Sequence, residues 1–234
     1  MKIYVISLKD SVGRRADASV QLDKLNFDWE FIDAVDGRKF SSIPSEYNPS
    51  KVKRLLGFEM TSSELGCFLS HKKIWHLISQ NKNGAVILED DFVITKDFES
   101  TVLNVLRGVQ SLDFLRLQGL AKVENKTIEI FEDVRLCELF EDPLGSSAYY
   151  ISPTCASHFI ERTKEIFEPL DHFLANTKWH GIKSLALLPY PVAVSEDPST
   201  IIDRGDRKPI RGYKKIKRSL FRFIDRIISR DPWF

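Results

Sequence analysis

The chain has 234 residues, of which 43% are hydrophobic and 29% are charged, and its formal net charge at pH 7 is +1. This length and composition are typical of a globular domain and exclude a fibrous or intrinsically disordered chain. No apolar run approaches the roughly 20 residues that a membrane-spanning helix needs, and the first residues already follow a strand pattern. We therefore expect no signal peptide and no transmembrane anchor.

The first third of the sequence predicts alternating strands and helices. Residues 2–8 read as a buried strand, residues 14–25 as a helix and residues 29–35 as a second strand that ends at Asp36 and Gly37. A strand, a helix and a strand in this order favour a parallel pair joined by a crossover helix.

A long helix and a short strand follow. Thr61 and Glu64 have the spacing of a capping box, which predicts a helix over residues 62–80. Residues 85–88 then form a short apolar run, as expected of a central strand in an alpha/beta sheet.

The second half of the chain carries weaker patterns. We expect a helix over residues 100–109, strands over 112–117, 127–131, 136–140 and 149–151, and a helix from Pro153 to about residue 167. Residues 185–194 contain Pro189 and Pro191, so this segment is expected to be at best an edge strand.

Three consecutive carboxylates, Glu89, Asp90 and Asp91, follow the short apolar strand. In an extended segment Glu89 and Asp91 would face one side and Asp90 the other. Ligands of open alpha/beta sheets bind beyond the carboxyl ends of strands. Mg2+ and Mn2+ commonly take one or two carboxylates and complete their shell with phosphate oxygens and water. The triplet is therefore either such a metal site or an acidic turn.

Five segments occur in an order that resembles glycosyltransferase family 25, the lipooligosaccharide-biosynthesis enzymes. They are YVISLKDSVGRR at 4–15, DAVDG at 33–37, SELGCFLSHKKIWHLI at 63–78, AVILEDD at 85–91 and GSSAYYIS at 145–152. The resemblance covers about residues 3–204. It implies an alpha/beta, GT-A-like nucleotide-sugar-binding fold with a mostly parallel central sheet.

The resemblance also implies a reaction. A UDP-sugar, with galactose as the first expectation, would donate a hexose with inversion to a lipooligosaccharide acceptor. Glu89, Asp90 and Asp91 would stand for the family's metal motif, with Asp91 the direct ligand of Mn2+ or Mg2+ and Glu89 the second candidate ligand. Inversion needs a base on the acceptor side, for which Asp171 matches a family aspartate; Glu196 and Asp197 are the reserve candidates. The alternative role of Asp171 is to cap a helix that begins at His172.

Further residues are expected at the donor pocket. Arg14 resembles an arginine of the family's opening motif and would meet the diphosphate, although a solvated arginine at a helix start is the alternative. Ser7 and Leu8 lie at the end of the first strand, where their backbone groups would hold the uracil, with Asp33 and Asp36 at the border. By resemblance, Glu64, Ser70 and His71 also lie near the donor. Cys67 and His71 share a helix face with Glu64, but without a second pair of ligands a zinc site is not expected.

The C-terminal segment has a different character. From Arg204 onward, eleven lysines and arginines stand against three aspartates. We divide the chain into a catalytic domain at 1–205 and a basic tail at 206–234, in which residues 213–229 predict a cationic amphipathic helix. The tail would bind the anionic inner face of a bacterial inner membrane, or it would pack on protein.

The three cysteines, Cys67, Cys137 and Cys155, are odd in number and widely spaced. This suits reduced thiols in a cytoplasm better than a disulfide framework. Together with the basic tail, it leads us to expect a cytoplasmic enzyme that associates peripherally with the inner membrane. The rival functions are a metal-dependent phosphohydrolase and a catalytically silent binding protein of the same fold. Nucleic acid is not an expected partner, because the acidic body lacks a basic face interleaved with aromatic residues.

Overall fold

The computed structural model describes residues 1–109, 111–119 and 123–195. The strands are β1 (Lys2–Ser7), β2 (Asp28–Asp33), β3 (Ala85–Glu89), β4 (Phe92–Ile94), β5 (Phe114–Arg116), β6 (Asn125–Phe131), β7 (Val134–Leu139), β8 (Ala148–Ile151), β9 (Leu185–Leu188) and β10 (Val192–Val194). The helices are α1 (Val12–Leu22), α2 (Pro49–Leu55), α3 (Ser62–Ser79), α4 (Phe98–Gly108), α5 (Pro153–Arg162), α6 (Leu170–Ala175) and α7 (Thr177–His180), with a 3-10 turn at Gly37–Lys39. Among these helices none combines the length and hydropathy that crossing a bilayer requires.

Eight strands form one sheet in the order β2, β1, β3, β8, β5, β9, β7, β6. The first three are parallel, as the strand and helix order predicts. β8 runs antiparallel to both β3 and β5, and β7 runs antiparallel to both β9 and β6. The central sheet is therefore mixed. The expectation of a mostly parallel sheet holds for the β2, β1 and β3 side, where crossover helices separate the strands.

Two apolar cores lie on opposite faces of this sheet because successive side chains of each strand point to opposite sides. Tyr4 and Ile6 of β1 pack with α3, α5 and α6, whereas Ile3 and Val5 pack with α1 and α4. The protein is thus a three-layer alpha/beta/alpha arrangement with a sheet that is covered on both sides.

The expected long helix is confirmed as α3. Thr61 accepts a hydrogen bond from the Glu64 backbone, and the Glu64 side chain accepts one from the Thr61 backbone, so the capping box is complete. Glu64 is buried in this role. The helix that begins at Pro153 is also present, but it ends at Arg162 rather than near residue 167.

The expectation for residues 185–194 is wrong. β9 is an internal strand between β5 and β7, and its Ala186 and Leu187 are fully buried. Pro189 and Pro191 follow β9 instead of interrupting it, so neither proline removes a hydrogen bond from the ladder. β10 then pairs with β4 in a separate two-stranded sheet. The predicted tail helix over 213–229 lies outside the described residues.

Candidate functional site

A cleft lies at the carboxyl ends of β1, β2 and β3, and we call it the β1–β3 cleft. α1 and α3 close its sides. Sixteen residues line it: Ile6, Ser7, Leu8, Ser11, Arg14, Ala34, Val35, Asp36, Gly37, Arg38, Ser63, Cys67, Ser70, Glu89, Asp90 and Asp91. This is the edge where open alpha/beta sheets bind their ligands.

Close backbone contact holds α3 against the loop after β2. A Cβ on Gly66 would lie 2.5 Å from the Val35 carbonyl oxygen, and a Cβ on Gly37 would overlap the Ser62 carbonyl. Ser70 fastens the same contact, since its hydroxyl accepts a hydrogen bond from the Val35 backbone at 2.8 Å and donates one to the Gly66 carbonyl at 2.7 Å. The two glycines and Ser70 therefore fix the shape of the cleft wall.

The acidic triplet turns into the cleft as a unit. β3 ends at Glu89, and Asp90 and Asp91 form the turn that leads to β4. The expectation that Asp90 faces away from its neighbours is therefore wrong, because the alternation of an extended strand ends at Glu89. All three carboxylates line the β1–β3 cleft.

Asp90 is fully engaged by neighbouring side chains. The Ser7 hydroxyl donates to its Oδ2 at 2.6 Å, and the Arg14 guanidinium donates to its Oδ1 at 2.9 Å. The side chains of Arg14 and Asp90 are 17% and 10% exposed, so water weakens this ion pair less than it would a surface pair. Asp90 therefore positions Arg14 at the cleft.

Glu89 is held from the other side by a chain of polar groups. The Ser146 hydroxyl donates to Glu89 Oε1 at 2.5 Å, and His71 Nε2 lies 3.3 Å from the same oxygen. The opposite ring nitrogen of His71 is 2.7 Å from the Tyr149 hydroxyl, which accepts a hydrogen bond from the Trp75 indole at 2.9 Å. Because His71, Tyr149 and Trp75 are buried, this chain links the triplet rigidly to the core.

Asp91 differs from its two neighbours. Its Oδ1 is buried and has no hydrogen-bond partner within the part of the chain described. Burial and the neighbouring Glu89 carboxylate raise the pKa of Asp91 to about 6. A desolvated carboxylate oxygen of this kind is costly unless a cation or a proton is present.

Two sets of groups at the cleft have the chemistry of cation ligands. The first is Asp91 with Glu89, whose oxygens suit a hard divalent ion that also binds phosphate. The second is Cys67, His71 and Glu89, whose ligand atoms lie within 4.8 Å of one another. Sequence spacing placed Cys67 and His71 on one helix face, and the fold adds Glu89 from β3 as a third group. Three ligands from protein are the number found at zinc sites with an open position.

The structure brings together most of the residues predicted for the donor. Ser7, Leu8, Arg14, Ser70, Glu89, Asp90 and Asp91 all line the cleft. His71 lies behind this lining, where it contacts Glu89. Asp33 does not line the cleft, because it forms an ion pair with Arg15, whose guanidinium also donates to the Ser7 and Leu8 carbonyls. Hydrogen bonds from Arg38 hold the pKa of Asp36, which does line the cleft, well below its usual range.

Asp171 occupies the first turn of α6, which begins at Leu170, so it is not the N-cap of a helix beginning at His172. It is half-buried, and its carboxylate accepts a hydrogen bond from the His172 backbone at 3.0 Å. Asp171 is not among the residues that line the β1–β3 cleft. The reserve candidates Glu196 and Asp197 lie outside the described residues.

Sequence reasoning missed a buried charged residue at the same edge of the sheet. Arg116 ends β5 and is 1% exposed, and its Nε lies 3.7 Å from Asp142 Oδ1. An arginine inside the apolar run Phe-Leu-Arg-Leu was a visible signal, because arginine is almost never fully buried without a specific partner. Arg38 and Ser11, at the cleft rim, gave no such signal.

The chain belongs to glycosyltransferase family 25. The sequence profile of this family, described as "Glycosyltransferase family 25 (LPS biosynthesis protein)", matches residues 1–174. That range contains β1 to β8, the acidic triplet and α3.

Three relatives show how far the similarity extends. A "Glycosyltransferase 25 family member" of Aedes aegypti is 28% identical over 92% of this chain and 39% of its own length. "Lipooligosaccharide biosynthesis protein lic2B" of Haemophilus influenzae is 26% identical over 64% of this chain and 58% of its own. "Inactive glycosyltransferase 25 family member 3" of Mus musculus is 29% identical over 46% of this chain and 19% of its own. The chain therefore spans less than two thirds of the length of these relatives.

Proposed function

We propose that this protein is an inverting hexosyltransferase, which moves a hexose from a UDP-sugar to an oligosaccharide acceptor of the lipooligosaccharide or lipopolysaccharide type. The family description and the Haemophilus influenzae relative's name support this substrate class. Galactose is the first candidate for the transferred hexose, on the family resemblance.

The observation that carries the proposal is the buried Oδ1 of Asp91, which has no hydrogen-bond partner in residues 1–109, 111–119 and 123–195 and lies in a cleft that Arg14 also lines. Mn2+ or Mg2+ would be held by Asp91, with Glu89 as the second ligand. Both ions bind few protein carboxylates and take their remaining ligands from phosphate and water. Bound there, the ion would offset the negative charge that grows on the departing diphosphate.

The protein's own residues supply orientation and charge. Arg14 is held by Asp90 and would donate to a phosphate oxygen, while its charge attracts the diphosphate into the cleft. Ser7 holds Asp90 on the opposite side, so the guanidinium has little freedom to rotate away. The backbone of Ser7 and Leu8 at the end of β1 would contact the uracil.

The base that takes a proton from the acceptor hydroxyl is proposed to be Asp171, with Glu196 and Asp197 in reserve. A carboxylate can perform this step if it lies within hydrogen-bond reach of the attacking hydroxyl. Asp171→Asn is expected to abolish transfer and to leave UDP affinity unchanged. Normal turnover by this variant would remove Asp171 from the role and direct the same test to the reserve residues.

A second candidate function is a catalytically silent protein that binds a nucleotide-sugar. The names of mammalian relatives support it, since the mouse protein is called inactive and the cattle and rat proteins probable inactive. Such a protein would bind UDP with Mn2+ and transfer nothing. A phosphohydrolase would instead release phosphate without any acceptor.

The basic tail at 206–234 is proposed to bring the enzyme to an anionic membrane surface, where lipid-linked acceptors are found. Its cations would contribute about 1 kcal/mol each near such a surface. The reaction would then take place at the inner face of the bacterial inner membrane.

Turnover of a panel of UDP-sugars with truncated lipooligosaccharide acceptors tests the proposal directly. We expect one UDP-hexose to be consumed only when acceptor and Mn2+ are both present. Mn2+-dependent UDP binding without transfer to any acceptor would support the silent protein instead, and phosphate release without acceptor would support the hydrolase.

A further inference from the structure

A second group of buried polar atoms lies at the carboxyl edge of the sheet. Arg116 Nη2, Gln118 Oε1, Asp142 Oδ1 and the Tyr190 hydroxyl are buried and have no hydrogen-bond partner among the described residues. We call these four residues the Arg116 cluster. Leaving a buried polar atom unsatisfied costs stability, so several in one place require an explanation.

The cluster is built by specific contacts around Arg116. Its Nε donates to the Ser184 hydroxyl at 3.0 Å and its Nη1 donates to the Gly145 carbonyl at 3.1 Å, whereas Nη2 has no hydrogen-bond partner in the described part of the chain. Gly145 has a φ of 136°, and a Cβ there would lie 2.7 Å from Gln118 Oε1. A glycine is therefore required where the loop passes beside Gln118, since its backbone conformation and the close approach both exclude a side chain.

Burial also affects the acidic member of the cluster. Desolvation raises the pKa of Asp142, against the opposing effects of hydrogen bonds from Ser184 and Thr177 and of the Arg116 charge. Its side chain is 5% exposed, and its Oδ1 is too far from Arg116 Nε for a hydrogen bond. The two charges attract each other but leave polar atoms available to a third group.

The Arg116 cluster adjoins the acidic triplet. In the sheet, Ile87 of β3 pairs with Tyr149 of β8, and Tyr149 pairs with Arg116 of β5, so Arg116 lies two strands away from the end of β3. The loop before β8 connects the two groups, because Gly145 contacts Arg116 while the next residue, Ser146, donates to Glu89. A ligand held at the triplet through a diphosphate would extend toward this cluster.

We propose that the Arg116 cluster is the subsite for the hexose of the nucleotide-sugar. This assignment rests on the proposed function, in which the β1–β3 cleft binds the UDP portion. Sugar hydroxyls both donate and accept hydrogen bonds, and the cluster offers donors from Arg116 and Tyr190 and acceptors from Gln118 and Asp142. A site built around hydrogen bonds to hydroxyl groups discriminates strongly against a ligand that lacks them.

The assignment is tested by comparing the affinities of UDP and UDP-hexoses with Mn2+ present, measured by calorimetry for the wild type, Tyr190→Phe and Gln118→Ala. The proposal predicts that the hexose increases affinity in the wild type. Each variant should bind the UDP-hexose about three- to tenfold more weakly than the wild type does, and its affinity for UDP alone should be unchanged. Tyr150→Phe is the matched control, because the Tyr150 hydroxyl lies near Gly84, which precedes β3, and is therefore at the opposite end of this strand from the acidic triplet. This substitution should not change the comparison.

Thermal unfolding of the same free proteins provides a second readout. Because the Tyr190 hydroxyl has no partner among the described residues, Tyr190→Phe should unfold at the same or a higher temperature than the wild type. A purely structural role for this hydroxyl predicts the opposite, a lower unfolding temperature. If Tyr190→Phe keeps its unfolding temperature but loses affinity for the hexose, the Tyr190 hydroxyl has a ligand-binding role.

The possible failures are distinguishable. The subsite is overturned if UDP binds tightly and no hexose increases the affinity further. It is also overturned if the increase from the hexose is the same in both variants as in the wild type. Either result leaves the proposed function standing. If UDP does not bind at all, the proposed function fails, and saturation-transfer NMR with free galactose and glucose still tests the cluster. Contact signals that disappear in Tyr190→Phe would support a sugar site, and their absence in the wild type would overturn it.

Discussion

The Arg14 guanidinium and the Asp90 carboxylate are joined by a 2.9 Å ion pair, and this pairing separates the roles of two adjacent aspartates. Both carboxylate oxygens of Asp90 accept hydrogen bonds, one from Arg14 and one from Ser7. Asp91, in contrast, has a buried oxygen without a partner among the described residues. One aspartate therefore orients a cationic side chain, and the next is available to a cation.

Replacing Arg14 tests the first of these roles. Arg14→Gln should lower the affinity for UDP by about tenfold, because a charge-assisted hydrogen bond to phosphate is lost. The dependence of binding on Mn2+ should remain, since Asp91 is intact. Calorimetry with UDP and Mn2+ measures both effects. Arg107→Gln is the control, because Arg107 is an exposed arginine at the end of α4. Equal affinity in Arg14→Gln and the wild type would contradict a phosphate-binding role.

Asp91 should make the free energy of unfolding depend on pH in the absence of divalent cations. Its folded pKa of about 6 lies above the ordinary value of 3.8, so the folded state binds the proton more tightly than the unfolded state. Stability from this group is therefore complete below about pH 4 and is lost as the pH rises through about 6. Asp91→Asn should be more stable than the wild type at pH 7 by about 2–3 kcal/mol.

Urea unfolding at several pH values in EDTA measures this difference. Glu168 is buried, and burial raises its pKa to about 7, so it contributes a change of the same sign. The contribution of Asp91 must therefore be taken as the difference between the wild type and Asp91→Asn, with Glu168→Gln as the parallel variant. A difference between the wild type and Asp91→Asn that stays constant from pH 4 to pH 7 would show that Asp91 does not titrate in this range.

Gly66 should not tolerate a side chain. In Gly66→Ala the new Cβ would press on the Val35 carbonyl, which would push α3 away from the loop after β2 and distort the cleft. We expect a loss of about 1–3 kcal/mol in stability, together with weaker UDP binding.

Gly13→Ala is the matched control for this change. Gly13 lies in α1, and a Cβ added to it would meet no atom within 4 Å. Alanine there should increase the stability by up to about 1 kcal/mol, because alanine has the better helix propensity. Chemical denaturation of both variants gives the comparison, and equal stability of the two would refute the packing argument.

Removing residues 206–234 should abolish binding to vesicles that contain anionic lipid. The full-length protein should bind such vesicles, and its binding should weaken as salt is added, because the attraction is electrostatic. Co-sedimentation with anionic and neutral vesicles measures this. If both proteins fail to bind at low salt, the membrane role of the tail is wrong.

Sequence patterns predicted the features that depend on local chemistry. The capping box of Thr61 and Glu64 located the start of α3, and the apolar run before Glu89 located β3. Ser7 and Asp90 were chosen because they lie at or just after the carboxyl ends of strands, where open alpha/beta sheets bind ligands, and both line the cleft. Arg14 was chosen because it resembles an arginine of the family's opening motif. The family motifs strengthened the same choice.

Features that depend on distant pairing were not predictable in this way. The position of β9 between β5 and β7 follows from long-range register, and the nearby prolines suggested an edge instead. The turn at Asp90 and Asp91 reversed the expected direction of one carboxylate. Asp90 and Asp91 differ in role because Arg14, which lies 76 residues before Asp90, pairs with Asp90. No spacing rule relates such residues before the fold is known.

The most direct measurement is the affinity of UDP for the wild type and for Asp91→Asn, determined by calorimetry once with Mn2+ and once with excess EDTA. We expect Mn2+ to strengthen UDP binding by the wild type and to have little or no effect on UDP binding by the variant. Equal affinity under both conditions in the wild type, or full retention of the Mn2+ effect in Asp91→Asn, would contradict it.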